Sequence, residues 1–218
     1  MYRRMNMKNE INGQGTLMLK NSIKIACVGD SLTFGAGHTE SAYPLVLQSL
    51  LGEGYEVKNF GAGGRTATEG LSDAVHPDRS YNKTQMYRDS IMMRADIVII
   101  CLGTNDLWEG DLISEEGKSK YIAGMKNLID AYRTTGTSTI YICYPPYALN
   151  APYNRVGELT LPLVDLIAKE CEVEVIDFYT MTLQNPELID SDRLHLTSNG
   201  YKAMANLVYQ KLIEKNIK

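Results

Sequence analysis

Five short runs of β-branched and other apolar residues recur along the chain and predict the strands of a sheet. Their apolar character is nearly continuous, which is typical of a parallel sheet covered on both faces. The predicted strands are Ile23–Val28, Tyr55–Phe60, Ile97–Leu102, Thr139–Cys143 and Val173–Ile176.

Segments with a helical period lie between these strands. Three apolar stripes follow that period. They are Ile122, Met125, Ile129 and Tyr132; Leu159, Leu163, Leu166 and Ile167; and Tyr201, Met204, Ala205, Val208 and Leu212. Thr197 is expected to cap the last helix. Alternating strands and helices imply right-handed crossovers and a doubly wound α/β sandwich. The pattern leaves the strand order open, but a flavodoxin-like order 2-1-3-4-5 would fit.

The chain is expected to form one domain. Residues 1–21 are polar and show no clear period, so they predict an N-terminal tail before a domain spanning 22–218. A length of 218 residues suits a single core. The longest irregular stretch is 65–83, and long loops in compact domains are often functional.

Composition excludes some partners. A net charge of −4 differs from the basic face that nucleic-acid binding favours. No run approaches the roughly 20 apolar residues of a membrane helix. We therefore expect neither a nucleic-acid nor a membrane partner. The first 21 residues lack the apolar core of a signal peptide, which favours a cytoplasmic protein, with a secreted mature form left open. The four cysteines have no C-x-x-C spacing and are expected to be buried free thiols.

Polar or glycine-rich segments follow the first three predicted strands, at the ends where open α/β sheets bind ligands. These segments are Gly29–Gly35, Gly61–Thr66 and Gly103–Asp106, and Asp192–His195 stands near the C-terminus. We expect all four to converge on one edge of the sheet.

Ser31 and the pair Asp192 and His195 are the candidates for nucleophilic chemistry. A serine needs a base to take its proton, and a carboxylate three residues before a histidine can reach and orient its ring. Each feature alone has a simpler interpretation: a serine that caps the next helix, and a surface Asp–His turn. His38 and His76 are interpreted as solvated loop residues.

Acyl transfer also needs hydrogen-bond donors for the oxyanion that develops. The glycine-rich turn after the second strand can present backbone N–H groups, and Asn105 offers a side-chain amide at a strand end. A tight turn and a turn-forming asparagine are the alternatives. Together, the nucleophile, base and donors meet the requirements of a hydrolase site.

Four segments resemble the sequence blocks of the GDSL/SGNH hydrolases, in the order of that family. They are Gly29-Asp30-Ser31-Leu32, Asn59-Phe60-Gly61-Ala62-Gly63-Gly64-Arg65-Thr66, Gly103-Thr104-Asn105-Asp106 and Asp192-Arg193-Leu194-His195. The resemblance implies a single-domain, three-layer α/β/α sandwich with a flavodoxin-like parallel five-stranded sheet. It also implies ester hydrolysis that needs neither a metal nor a cofactor.

The resemblance also implies residue roles. Ser31 would be the nucleophile, His195 the base and Asp192 its orienting partner. The backbone N–H of Ser31, the N–H of Gly64 and the side chain of Asn105 would form the oxyanion hole. Gly61 is the alternative to Gly64.

The candidate loops mix aromatic and polar residues, which suits a hydroxyl-rich ligand. They carry Arg65, Thr66, Arg79, Tyr81, Asn82, Trp108, Glu109, Tyr147, Asn150, Tyr153 and Arg155. Tyrosine is abundant throughout the chain (14 residues), so these rings need not be functional. We predict substrate contacts from Asp30, Arg65, Trp108 and Tyr147. The chain is also similar to sialate and xylan O-acetylesterase-like members, which implies a short acyl ester, acetyl first, on a carbohydrate.

Three alternatives stay open. A lysophospholipase or thioesterase of the same family would prefer longer acyl chains or thioesters. A metal-dependent hydrolase would use Asp30, Asn105, Asp106, Asp192 and His195, although zinc usually recruits more than one histidine. A non-catalytic carbohydrate-binding relative would have no need of nucleophile, base and oxyanion donors together.

Overall fold

A parallel five-stranded sheet forms the centre of the molecule. The computed structural model describes residues 22–72, 77–109 and 112–216, so the tail predicted over 1–21 lies outside the described residues. The strands are β1 Ile23–Gly29, β2 Tyr55–Gly61, β3 Ile97–Cys101, β4 Thr139–Tyr144 and β5 Glu174–Asp177. Their order is β2-β1-β3-β4-β5, which confirms the flavodoxin-like arrangement.

Helices follow each strand and pack on both faces of the sheet. They are α1 Ser31–Phe34, α2 Tyr43–Leu51, α3 Gln85–Met93, α4 Asp106–Glu109, α5 Glu115–Thr134, α6 Val156–Leu159, α7 Leu161–Cys171, α8 Phe178–Gln184 and α9 Ser198–Asn216. Single 3₁₀ turns occupy Thr39–Ser41, Tyr81–Lys83, Tyr153–Arg155 and Pro186–Leu188. None of the helices in the described part of the chain is long and apolar enough to cross a membrane.

Alternating strand residues supply two separate cores. Val98 and Ile100 of β3 face one cluster, which α3, α5, α6 and α7 cover. Ile99 and Cys101 of the same strand face the other cluster, beneath α2, α8 and α9. This period-two division is expected for a sheet buried on both sides. It confirms the three-layer α/β/α sandwich.

The three predicted helical stripes agree with the observed helices to different extents. The stripe in α9 is buried at all five predicted positions, and that in α5 is buried at Met125, Ile129 and Tyr132. The prediction that the second stripe lies on one helix was wrong, because α6 ends at Leu159 and α7 begins at Leu161. Pro162 explains the break, since proline is tolerated only in the first turn of a helix. Leu166 is 40% exposed.

Two smaller predictions agree with the structure. The N–H of Gly200 donates to Thr197 Oγ1 at 3.2 Å, so Thr197 caps α9. The four cysteines are free and buried.

Candidate active site

The carboxyl ends of the three neighbouring strands stop level with one another. Gly29 at the end of β1 pairs with Gly61 of β2 and with Cys101 of β3. The segments that follow these strands therefore leave the sheet side by side, as expected for an open α/β sheet. The predicted convergence of their polar residues follows from this register.

Ser31 begins the one-turn helix α1 directly after β1. Asp30 caps this turn, because its Oδ1 accepts a hydrogen bond from Leu32 N–H at 2.9 Å. At the other end, Gly35 in the left-handed region donates its N–H to the Ser31 carbonyl at 2.9 Å. The turn is fixed at both ends, which holds the partly exposed Ser31 at the strand end.

Asp192 and His195 lie in a tight turn before α9. Arg193 N–H donates to the Asp190 carbonyl at 2.9 Å, and Arg193 adopts a φ of 65°. Asp192 Oδ1 accepts hydrogen bonds from Leu194 N–H at 2.9 Å and His195 N–H at 2.8 Å. One carboxylate oxygen thus stabilises the turn, and the other is left to contact the imidazole.

Three side chains form a continuous hydrogen-bonded chain. Asp192 Oδ2 lies 2.6 Å from His195 Nδ1, and His195 Nε2 lies 2.9 Å from Ser31 Oγ. Partial burial raises the pKa of Asp192, but the hydrogen bonds from Leu194 and His195 outweigh it and leave the pKa below its usual range. Asp192 therefore stays ionised at neutral pH and can stabilise a positive charge on the imidazole.

The glycine-rich turn after β2 lies beside Ser31. A Cβ placed on Gly63 would stand 4.0 Å from Ser31 Cβ, and Gly64 adopts a φ of 71°. Gly61 N–H donates to Asn59 Oδ1 at 2.8 Å, and a Cβ there would lie 2.1 Å from the backbone N of Phe34. The Gly61 N–H thus already has an acceptor, and Gly61 packs closely against Phe34. This favours Gly64 as the candidate donor.

Asn105 joins the segments that follow β1, β2 and β3. Its side chain is nearly buried, with 6% of the residue exposed. Nδ2 donates to the Arg65 carbonyl at 3.1 Å and to Asp30 Oδ2 at 3.3 Å. Oδ1 accepts from Arg79 Nη2 at 3.5 Å. The Asn105 amide is therefore held on both its nitrogen and its oxygen side.

Two carboxyl groups are buried beneath the site. Burial raises the pKa of Asp30 to about 7 despite the hydrogen bond from Leu32, and nearby Asp106 raises it further. Burial also raises the pKa of Asp106, against hydrogen bonds from Thr68 and Ala67. Only 1% of Asp30 is exposed. The prediction that Asp30 contacts substrate does not fit this burial, because both carboxyl oxygens face other parts of the chain.

The remaining predicted contact residues have different surroundings. Arg65 is partly exposed, and its Nη1 donates to the Asp78 carbonyl at 2.9 Å. Tyr147 is partly exposed and packs edge-on against Tyr179, with ring centroids 5.8 Å apart. The side chain of Trp108 and all of His76 lie outside the described residues.

Three of the loop residues that suggested a hydroxyl-rich ligand are not available to one. Thr66, Arg79 and Tyr81 are all buried. The Tyr81 hydroxyl donates to the Phe60 carbonyl at 2.6 Å. The inference from these three residues was wrong, because they hold the loop to the domain.

His38 is also not a freely solvated loop residue. Its Nε2 lies 3.0 Å from Asp190 Oδ2, in the turn that carries Asp192 and His195. The hydrogen bond from Ser191 N–H and the contact with His38 lower the pKa of Asp190. The chain pattern held no signal for this pair, whose members are 152 positions apart.

Solved structures with the same fold support this architecture. A carbohydrate acetylesterase family member from Sinorhizobium meliloti is 22% identical with a TM-score of 0.64, over 87% of this chain and 97% of that one. An aryl esterase from M. smegmatis is 20% identical with a TM-score of 0.65, over 88% and 99%. A lipase/acylhydrolase from Enterococcus faecalis is 21% identical with a TM-score of 0.68, over 88% and 96%.

Sequence comparison identifies a more closely related protein. An acetylxylan esterase from Xylanibacter ruminicola is 28% identical over 212 residues. The alignment covers 87% of this chain but only 43% of the relative. This chain therefore spans less than half the length of the curated relative.

The sequence model of the GDSL-like lipase/acylhydrolase family matches residues 27–203, a range that includes Ser31, Gly64, Asn105, Asp192 and His195. With that match over most of its length, the chain belongs to the GDSL-like lipase/acylhydrolase family.

Proposed function

We propose that this protein is a serine esterase that removes short acyl groups, with acetyl preferred, from a carbohydrate. The observation that carries the proposal is the hydrogen-bonded chain from Asp192 through His195 to Ser31, with distances of 2.6 and 2.9 Å. Such a chain prepares a serine for attack, because the imidazole can take the hydroxyl proton while the carboxylate stabilises the resulting imidazolium.

In the proposed reaction, His195 Nε2 takes the Ser31 proton as Oγ attacks the ester carbonyl. The carbonyl oxygen becomes an oxyanion, and His195 then gives its proton to the leaving alcohol. Water hydrolyses the acyl-enzyme by the reverse route, and His195 again acts as base and then as acid. The second imidazole nitrogen stays bound to Asp192 throughout, which fixes the tautomer that leaves Nε2 free to accept the proton.

The oxyanion would be held by three donors: the N–H groups of Ser31 and Gly64, and the Asn105 amide. No acceptor for the Ser31 or Gly64 N–H lies within residues 22–72, 77–109 and 112–216, so both are available to a ligand. The Asn105 N–H that reaches Asp30 makes a long bond of 3.3 Å. That N–H is the one that would be shared with the oxyanion.

The choice of an acetylated carbohydrate rests on similarity. The curated relative is named an acetylxylan esterase, and one structural neighbour is a carbohydrate acetylesterase family member. Tyr147, a partly exposed aromatic residue on the loop that follows β4, is our candidate to pack on a sugar ring.

Hydrolysis of p-nitrophenyl acetate, butyrate and octanoate, followed by acetate release from acetylated xylo-oligosaccharides, tests the proposal. We expect turnover that falls with chain length and is lost in Ser31→Ala. Ser49→Ala is the matched control, since Ser49 is an exposed serine in α2. Both variants are also treated with a fluorophosphonate, which reacts only with an activated serine. Ser49→Ala should be labelled and Ser31→Ala should not.

The alternatives give distinct results in the same assays. Preference for octanoate, or for a lysophospholipid or thioester, would favour the lipase-like or thioesterase alternative. Loss of activity on chelation would favour a metal-dependent hydrolase. Ester binding without turnover or labelling of the wild type would favour a non-catalytic relative.

A further inference from the structure

Arg79 is an arginine buried beside the proposed oxyanion hole. Only 5% of the residue is exposed. Arginine is rarely so buried unless its charge and N–H groups are paired, because desolvation of a cation is costly. The partners of this guanidinium therefore indicate what the buried charge does.

The guanidinium contacts two of the three residues proposed to hold the oxyanion. Nε donates to the Gly64 carbonyl at 2.8 Å, and Nη2 donates to Asn105 Oδ1 at 3.5 Å. Since a guanidinium only donates, it selects the oxygen side of each group. The Asn105 nitrogen is thereby turned away from Arg79, toward Asp30 beside the nucleophile.

The contact with Gly64 restricts a flexible peptide. Gly64 has a φ of 71°, in the left-handed region, and glycine adopts positive and negative φ about equally readily. A hydrogen bond to its carbonyl limits rotation about the Gly64 backbone. The peptide that follows Gly64 is thereby fixed, which steadies the turn that carries the Gly64 N–H before substrate arrives.

The backbone of Arg79 is fixed to the same turn. Thr66 N–H donates to the Arg79 carbonyl at 3.0 Å, and Tyr81 N–H donates to the Thr66 carbonyl at 2.9 Å. These bonds form a parallel bridge between Thr66 and Ser80. Because Thr66 lies two residues after Gly64, this bridge brings the Arg79 side chain back to the glycine turn.

A permanent positive charge behind these donors would act mainly on the transition state. The ester carbonyl is neutral in the ground state and carries a full negative charge in the tetrahedral intermediate. A cation near the donors therefore favours the intermediate more than bound substrate, and affects kcat more than KM. Arginine suits this role because its planar guanidinium can hold the Gly64 carbonyl and the Asn105 side chain at once.

From these contacts we infer that Arg79 is a positioning residue of the oxyanion hole, which acts through Gly64 and Asn105 without touching substrate. The inference rests on the proposed serine esterase function. It assigns to Arg79 a role different from the sugar contact suggested by its place in a polar loop.

Steady-state kinetics of Arg79→Met test this role on p-nitrophenyl acetate. We expect kcat to fall by about 10²–10³-fold, as for loss of an oxyanion donor, with KM changed by less than about 3-fold because substrate contacts remain. Arg79→Lys keeps the charge but not the planar fork, so its loss should be smaller. Arg133→Met is the matched control: Arg133 also donates to a backbone carbonyl, that of Cys171, at the opposite end of the sheet.

A second measurement separates positioning from general structural support. A boronic acid that forms a tetrahedral anionic adduct with serine mimics the oxyanion, so its affinity should fall in parallel with kcat in both Arg79 variants. Unchanged boronate affinity, or a loss confined to KM, would overturn the inference. So would wild-type kcat in Arg79→Met.

The double variant Arg79→Met with Asn105→Ala tests the proposed route. If Arg79 acts through Asn105 and Gly64, the combined loss in kcat is smaller than the product of the single losses. Independent, multiplying losses would overturn the inference while leaving the esterase intact. A wild type without Ser31-dependent turnover would instead overturn the proposed function, and the inference with it.

Discussion

The turn that carries Asp192 and His195 depends on a left-handed residue that is not glycine. Arg193 has a φ of 65°, a conformation that costs an L-residue about 1–2 kcal/mol. Two hydrogen bonds to Leu149 stabilise it: Leu149 N–H donates to the Arg193 carbonyl at 2.9 Å, and Arg193 Nη2 donates to the Leu149 carbonyl at 3.1 Å. We compare Arg193→Gly with Arg193→Ala, because both variants lose the same side-chain bond.

The difference between these variants isolates the backbone conformation. Glycine recovers the left-handed cost but loses about 0.4–1 kcal/mol through the greater entropy of the unfolded chain. At the middle of both ranges, Arg193→Gly should therefore be more stable than Arg193→Ala by about 0.8 kcal/mol. In most exposed positions the order is the reverse.

Urea unfolding measures this difference, with equal m-values required for the comparison. The control is the same pair of substitutions at Arg88, an exposed residue inside α3. There alanine should be the more stable by about 1 kcal/mol, because glycine is a poor helix former. If alanine at position 193 proves as stable as glycine or more so, the left-handed turn is not a source of strain and the reasoning fails.

Three further predictions concern the site and its support. Asp192→Asn should lower kcat by up to about 10⁴-fold with little change in KM, because an amide N–H facing His195 Nδ1 favours the wrong tautomer; activity at neutral pH within about 10-fold of wild type would contradict this. Asp30→Asn should alter the pH dependence of stability. The folded protein holds the Asp30 proton up to a pKa of about 7 against 3.8 for the ordinary group, so wild type loses stability relative to the variant as pH rises from about 4 to about 7, by at most about 4 kcal/mol. Parallel curves of Tm against pH would refute the buried titration. Gly124→Ala should destabilise the protein by about 1–3 kcal/mol, against its helix propensity, because the new Cβ would lie 2.0 Å from the Ala67 carbonyl oxygen; an unchanged or raised Tm would show that this contact relaxes.

The sequence predicts the parts of this molecule that depend on local pattern. Each strand lies within two residues of its predicted bounds, because continuous apolar runs reflect burial on both faces of the sheet. Ser31, Asp192 and His195 lie within hydrogen-bonding distance, because Ser31 follows β1 directly and Asp192 and His195 lie in the turn before α9. The three-residue spacing lets Asp192 reach the His195 ring because both lie in one turn, in which Asp192 also accepts hydrogen bonds from two backbone N–H groups.

Residues whose role depends on a distant partner were not predictable in this way. Arg79 stands in a polar loop and resembles a surface arginine until the bridge to Thr66 turns its side chain inward. Asp30 follows a strand like a ligand-binding residue, but its carboxyl faces Leu32 and Asn105. A pattern along the chain records which residues are polar, and not which other polar group each one faces.

The hydrogen bond between Ser31 and His195 joins residues 164 positions apart. A ribosome adds about 5–20 residues per second, so His195 emerges roughly 10–30 s after Ser31. During that interval α9 has not been made, and the apolar face of the sheet that it covers is open to water. The growing chain then lacks the proposed base and exposes the apolar face that α9 later covers. Chaperones that bind apolar surface would act before α9 docks, and the proposed hydrolysis could begin only afterwards.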